Sequence, residues 1–149
     1  MKSIKINNFE IANDKPFTLI AGPCVIESQD HALGLAADIA RICERAKINF
    51  IFKASFDKAN RTNIKSIRGA GLQEALPIFE AIKQNFHCPV LTDIHSESQC
   101  KEIADFDSID IIQIPAFLCR QTDLLVAAGN TNKINVCSFT YTGYILSQS

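Results

Sequence analysis

Several familiar signatures are missing from this sequence, and each absence removes a class of function. Six cysteines stand at positions 24, 43, 88, 100, 119 and 137, yet they form no C-x-x-C pair and no Cys/His ladder of zinc-finger spacing. A structural zinc site and a disulfide scaffold are therefore not expected, and Cys43, Cys88 and Cys100 read as small buried hydrophobes. There is no G-x-G-x-x-G and no Walker sequence, which removes the usual nucleotide-binding readings. Fifteen Lys and Arg against sixteen Asp and Glu leave a formal net charge of -1, with no basic field suited to nucleic acid. Residues 1–14 contain no continuous apolar stretch, so no signal peptide is expected and the cytoplasm is the expected compartment. At 149 residues, 47% hydrophobic and 21% charged, the chain is long enough for one domain with a core and too polar for a membrane protein.

What is present is a regular alternation. Residues 4–11 predict a short hairpin around Asn7-Asn8, a turn pair that tolerates positive φ. A first buried strand at 18–21 ends at Gly22-Pro23. Helix one is predicted over 30–47, where Ala32, Leu35, Ala36, Ile39, Ile42, Cys43 and Ala46 recur at three- and four-residue steps and form a stripe for a sheet. Strand two is predicted at 50–53, and after a long polar loop a second helix uses Leu72, Ala75, Leu76, Phe79, Ile82 and Phe86. Pro77 lies inside that helix, where it costs up to about 3 kcal/mol unless a kink is accommodated. Strand three at 90–92 precedes Ser96-x-x-Gln99, a capping box for a third helix. Strand four at 109–114, a fourth helix at 120–128 with Gly129 as its stop, and a fifth strand starting at 134–136 complete the pattern.

The polar residues then choose the architecture. Cys24 follows strand one, Lys53 to Arg61 follow strand two, Asp93 and His95 follow strand three, and Gln113 to Arg120 follow strand four. All four clusters lie at carboxyl ends, which fits the rim of a (β/α)8 TIM barrel better than the single switch-point crevice of a doubly wound sheet. The fold class is thus α/β, a partial TIM barrel of about four βα units with an N-terminal β-hairpin. The cations near Lys53, Lys58, Arg61, Lys65 and Arg68 suit a small anion such as a phosphate or carboxylate. Lys65 and Arg68 read equally as solvated loop residues. His95, two residues beyond Asp93, shares its face and reads either as a structural polar contact or as a substrate contact; His31 and His87 read as exposed helix-end residues.

The runs Ile20-Ala21-Gly22-Pro23-Cys24-Val25-Ile26-Glu27-Ser28, Phe52-Lys53-Ala54-Ser55-Phe56-Asp57-Lys58-Ala59-Asn60-Arg61, Leu91-Thr92-Asp93-Ile94-His95 and Gln113 through Asp123 resemble the 3-deoxy-D-manno-octulosonate 8-phosphate synthases, also called 2-dehydro-3-deoxyphosphooctonate aldolases. Lys58-Ala59-Asn60-Arg61 sets this resemblance apart from the heptulosonate 7-phosphate synthases, which carry a Lys-Pro-Arg type run there. The resemblance implies a transferase that condenses phosphoenolpyruvate with arabinose 5-phosphate for lipopolysaccharide biosynthesis, in a cytoplasmic barrel that is commonly a tetramer. It implies that Lys53 and Lys58 hold phosphoenolpyruvate, that Ser55 is a substrate-binding residue, that Asn60 and Arg61 bind arabinose 5-phosphate, and that Asp93 meets the sugar hydroxyls. Gln113 and Ala116 would line the phosphoenolpyruvate end, and Arg120 would reach the sugar phosphate of a neighbouring subunit. Lys58 and Asp93 are the catalytic candidates. Read alone, Cys24 is a buried thiol after a Gly-Pro turn; the resemblance makes it a ligand for a divalent transition metal, as in the metal-dependent members.

The resemblance has limits along the chain. Residues 1–136 read as the amino-terminal half of the synthase domain and 137–149 as a divergent tail, uncharged from Ile134 onward. Where the family continues with a Lys-Lys-Gly-Gln run, this chain has Cys137-Ser138-Phe139-Thr140. The remaining family metal ligands come from later strands, so the metal is not expected to be retained here. A non-catalytic remnant of the same enzyme is the alternative expectation.

Overall fold

The computed structural model describes residues 3–58, 69–138 and 143–146. A hairpin of β1 (Ile4–Ile6) and β2 (Phe9–Ile11) comes first, and Asn7 takes φ 48° in its two-residue turn. Then follow β3 (Thr18–Ala21), α1 (Gln29–Ala46), β4 (Asn49–Lys53), α2 (Leu72–Phe86), β5 (Val90–Asp93), α3 (Glu97–Ala104), β6 (Ile111–Ile114), α4 (Thr122–Gly129), β7 (Ile134–Ser138) and β8 (Gly143–Leu146). The main sheet runs β3-β4-β5-β6-β7-β8, parallel through β7 and antiparallel only at β8. Five parallel strands joined by helical crossovers make this a half-barrel of the TIM type, as the alternation predicts.

Local chemistry sets the helix ends. Ser28 caps α1 by accepting from the His31 N–H at 3.2 Å, and Lys47, at φ 54°, closes it in a Schellman arrangement, with Lys47 N–H on Glu44 C=O and Ile48 N–H on Cys43 C=O. Ser96 caps α3 as expected, but Gln99 Oε1 accepts from the His95 N–H at 2.7 Å, one residue before the cap, so only half of the capping box forms. Pro77 stands on the exposed side of α2 together with Gln73, whose carbonyl loses its helical donor there. Gly129 is the last residue of α4 rather than its stop; Asn130 ends the helix, and the Thr131 hydroxyl donates to the Ala128 carbonyl at 2.7 Å. On α1 the stripe is narrower than the periodicity predicts, because Ile42 is 60% exposed while Ala32, Ala36 and Cys43 are buried.

Two apolar clusters share the sheet. The larger lies between strands and helices and includes Phe50, Phe52, Val90, Ile112 and Ile114 with Phe79, Ile82 and Leu124. The smaller lies on the other face, where Ile51, Leu91 and Ile111 meet Ile6 of the hairpin, with Ile4, Phe9, Ile11, Ile134 and Val136 around them. Strand alternation explains both: neighbours in sequence face opposite sides, and residues two apart share a side. On the inner side each of three strands therefore presents an apolar residue and then a polar one, Ile51 then Lys53, Leu91 then Asp93, Ile111 then Gln113. The hairpin covers the apolar layer and leaves the polar layer at the carboxyl ends.

The thiols follow the same plan. Cys43, Cys88, Cys100, Cys119 and Cys137 are buried, and burial raises the Cys43 and Cys100 thiols and pushes Cys88 and Cys137 up to about 11. They are packing residues, and Cys137 carries β7 into the outer cluster across the 136/137 boundary. The fifth parallel strand, β7, is paired on its far side by β8, with Val136 opposite Ile145 and Cys137 opposite Tyr144. Among the described residues no helix is long and apolar enough to cross a membrane.

A charged clip holds the lower end of the sheet. Asp110 accepts from Lys83 Nζ at 2.7 Å and from the Val90 N–H at 2.9 Å, and the Lys83 ammonium also donates to the Asp107 carbonyl at 2.6 Å. Asp110→Ala leaves the Val90 N–H and a half-buried ammonium without that acceptor, and a loss of about 2 kcal/mol is expected. Denaturant titration at neutral pH checks this; an unchanged midpoint would show the clip to be ornamental.

Candidate active site

The backbone beyond β4 is sewn to both neighbours. Ala54 N–H donates to the Leu91 carbonyl at 3.3 Å, and the Ala54 carbonyl accepts from the Thr92 hydroxyl at 2.9 Å. On the other side Ser55 bridges Val25 in parallel, and its carbonyl accepts from the Ile26 N–H at 2.9 Å. The loop after β3, which carries Cys24, is thereby held beside the loop after β4. Two glycines allow the approach. A Cβ on Gly22 would stand 2.0 Å from the Lys53 carbonyl oxygen, and Gly69, at φ 123°, would place one 2.4 Å from that of Phe56.

The side chains converge where the strands end. Ser55 is fully buried, and its Oγ accepts from Lys53 Nζ at 3.2 Å and from Lys58 Nζ at 2.9 Å. Two ammonium groups thus meet on one hydroxyl, which uses both lone pairs to hold them. Across the strand pair, Asp93 is 6% exposed; its Oδ2 lies 3.5 Å from His95 Nε2, while its Oδ1 is buried with no hydrogen-bond partner among the described residues. His95 also stands edge-on to Phe56, with ring centroids 6.4 Å apart. Gln113 is the register partner of Asp93 on β6.

Electrostatics ties these groups together. Burial holds the Lys53 ammonium below its ordinary value; Asp93 opposes that shift, Lys58 adds to it by like-charge repulsion, and Cys24 opposes it. An anion placed between the two ammoniums would relieve their repulsion and restore the charge that burial disfavours. The arrangement can therefore bind a carboxylate or phosphate beside a carboxylate whose Oδ1 has no partner among the described residues.

The structure brings Cys24, Lys53, Ser55, Lys58, Asp93 and Gln113 to one rim. Ala116 opens a 3-10 turn, Ala116–Leu118, directly after β6, and Arg120 follows it, exposed, short of the α4 start that the sequence placed at 120. Asn60 and Arg61, like Lys65 and Arg68, lie outside the described residues. His31 and His87 are exposed at helix ends, as expected. Sequence reasoning missed the Thr92 hydroxyl, the Phe56–His95 contact and the role of Ser55 as a shared acceptor; a Thr at the end of a buried strand was the available signal for the first.

A transition-metal centre needs about four ligands. Among the described residues no three His, Cys, Asp or Glu side chains gather into a group that could hold a metal ion. Cys24 is exposed at the rim, with Lys53 among its charged neighbours. Among the described residues, one thiol beside an ammonium does not make up a metal centre. A cavity of about 350 Å³ between α3 and α4, lined by residues such as Glu97, Cys100, Asp123 and Val126, lies among the helices and not at the rim.

Residues 2–136 match the DAHP synthetase I family. That span runs from the hairpin into β7 and takes in each of the rim-forming ends just described, and the chain belongs to this family. More narrowly, the chain is 56% identical over 133 residues to the 2-dehydro-3-deoxyphosphooctonate aldolase of Rickettsia felis, 55% to that of Rickettsia conorii and 56% to that of Rickettsia prowazekii. Each of these matches covers 89% of this chain and 48% of the relative. The resemblance read from the motifs is borne out, and the chain spans about half the length of the curated relatives it matches.

Proposed function

We propose that this chain carries the phosphoenolpyruvate-binding part of an octulosonate 8-phosphate synthase. In that reaction C3 of phosphoenolpyruvate attacks the aldehyde of D-arabinose 5-phosphate, water adds at C2, and phosphate leaves as 3-deoxy-D-manno-octulosonate 8-phosphate forms. The observation that carries the reading is the meeting of Lys53 and Lys58 on Ser55, 3.2 and 2.9 Å from its hydroxyl, with Asp93 Oδ1 left without a partner among the described residues. The two ammoniums neutralise the carboxylate and phosphate, and Gln113 and Ala116 line that end. Asp93 orients the sugar hydroxyls, Asn60 and Arg61 take the sugar phosphate, and Arg120, exposed at the rim, reaches the site of a neighbouring subunit in a cytoplasmic homo-oligomer. Holding two anions side by side supplies most of the catalysis through proximity and fixed charge. A divalent metal on Cys24 belongs to the full-length metal-dependent type, in which further ligands complete its shell.

A binding-only role is the second reading, and β8 favours it. This antiparallel strand occupies the side of β7 where a barrel would place its next parallel strand. Calorimetric titration of the full chain with phosphoenolpyruvate, followed by phosphate release in the presence of arabinose 5-phosphate with and without a chelator, separates the readings. Saturable phosphoenolpyruvate binding is expected. Turnover favours the synthase, binding without turnover favours the second reading, and no binding removes both.

A further inference from the structure

The register of β4 on β5 ends at Lys53 opposite Leu91, and the Ala54 N–H makes the last backbone bond between them, to the Leu91 carbonyl at 3.3 Å. The next carbonyl on β4, that of Ala54, is taken by a side chain, the Thr92 hydroxyl at 2.9 Å, in a fully buried contact. The location of this bond matters. Ala54 stands between Lys53 and Ser55, the two residues that build the cation pair with Lys58, while Thr92 immediately precedes Asp93, the carboxylate facing that pair. Thr92 itself faces away from the rim, since it alternates with Leu91 and Asp93 along the strand. One hydroxyl thus extends the link between the two stretches of backbone that carry opposite charges of the site, one carbonyl beyond the last backbone bond of the ladder.

We infer that Thr92 is a positioning residue for the anion site: through Ala54 it sets the spacing between the Lys53–Ser55–Lys58 group and Asp93. The ligand side of this inference rests on the phosphoenolpyruvate reading above. Removing the hydroxyl leaves a buried carbonyl without a donor, and the cheapest relief is for the corner at Ala54 to turn away from β5. Both ammoniums then lose their common acceptor geometry, although neither lysine has been touched.

The test uses the full chain with Thr92→Val, Thr92→Ala and Thr92→Ser, the last two differing by the hydroxyl alone. Phosphoenolpyruvate is titrated by calorimetry, and hydrogen exchange of the Ala54 amide is followed without ligand. Thr92→Val and Thr92→Ala are expected to weaken binding and to speed Ala54 exchange, each by about tenfold, while Thr92→Ser stays within about twofold of the parent on both. If Thr92→Val does not fold, the Ala and Ser variants decide. Parent-like affinity in Thr92→Ala, or equal losses in Thr92→Ala and Thr92→Ser, overturns the inference. A parent chain that binds no phosphoenolpyruvate overturns the ligand reading instead; equal Ala54 exchange in the Ala and Ser variants then overturns the clamp.

Discussion

Lys53→Met will lower the affinity of the chain for phosphoenolpyruvate by about 100-fold, the scale of a charge-assisted hydrogen bond lost in a partly desolvated site. It will do so without unfolding the protein. Burial already disfavours the Lys53 ammonium, so an apolar side chain of similar length leaves stability level or raised, and Ser55 Oγ keeps the Lys58 ammonium at 2.9 Å. The pH dependence has a definite sign. The folded value of Lys53 is depressed below 10.5, so below the depressed value the buried ammonium carries a cost, and the contribution of Lys53 to stability is largest above 10.5. A bound anion raises that value again. Between the depressed value and 10.5 the complex then holds more proton than the free chain, and affinity falls as pH rises through that window. Titration in two buffers of different ionisation heat will show proton uptake on binding, absent in Lys53→Met. An unchanged affinity in Lys53→Met would remove Lys53 from the site.

Gly22→Ala will cost about 3 kcal/mol of stability, the upper end of what overpacking usually costs. The added methyl would lie 2.0 Å from the Lys53 carbonyl oxygen and 2.9 Å from its carbon, and both atoms belong to a strand held on its two sides. No flexible side chain can yield. A small domain has only about 5–15 kcal/mol of stability, so the denaturation midpoint will move visibly. The same displacement shifts the Lys53 backbone, and anion affinity will fall with it. An unchanged midpoint would mean that β3 and β4 have slack which the register does not suggest.

Much of this was legible along the chain because it is periodic or local. The three- and four-residue spacing of Ala32, Ala36 and Cys43, and of Leu72, Ala75, Leu76 and Phe79, named the helices and most of their buried faces. Polar residues following each apolar run named the rim, since Lys53, Asp93 and Gln113 need only strand parity to share a side. What stayed hidden is what depends on distant partners. The Thr92 hydroxyl reaches Ala54 across 38 positions, and a Thr at the end of a buried strand names a donor without naming its acceptor. Ile42 fits the helical stripe by spacing, yet it stands 60% exposed, because spacing names a face and not what packs against it. The short turn Ala116–Leu118 displaced the expected start of α4 because Pro115 and the residues after it satisfy one another at short range, with Leu118 N–H on the Pro115 carbonyl at 2.8 Å. The run Tyr144-Ile145-Leu146 is strand-forming by residue type, but its pairing with β7 is not written in the run itself.

The succession of Ile51 and Lys53, Leu91 and Asp93, Ile111 and Gln113 along the same strands has an evolutionary consequence. Each strand spends one inward position on cohesion with the hairpin and the next on ligand chemistry, so the two demands fall on different codons. Substitutions can erase or retune the charged tier while the greasy tier beneath keeps the scaffold standing, which lets a lineage change or lose its substrates without first losing its shape.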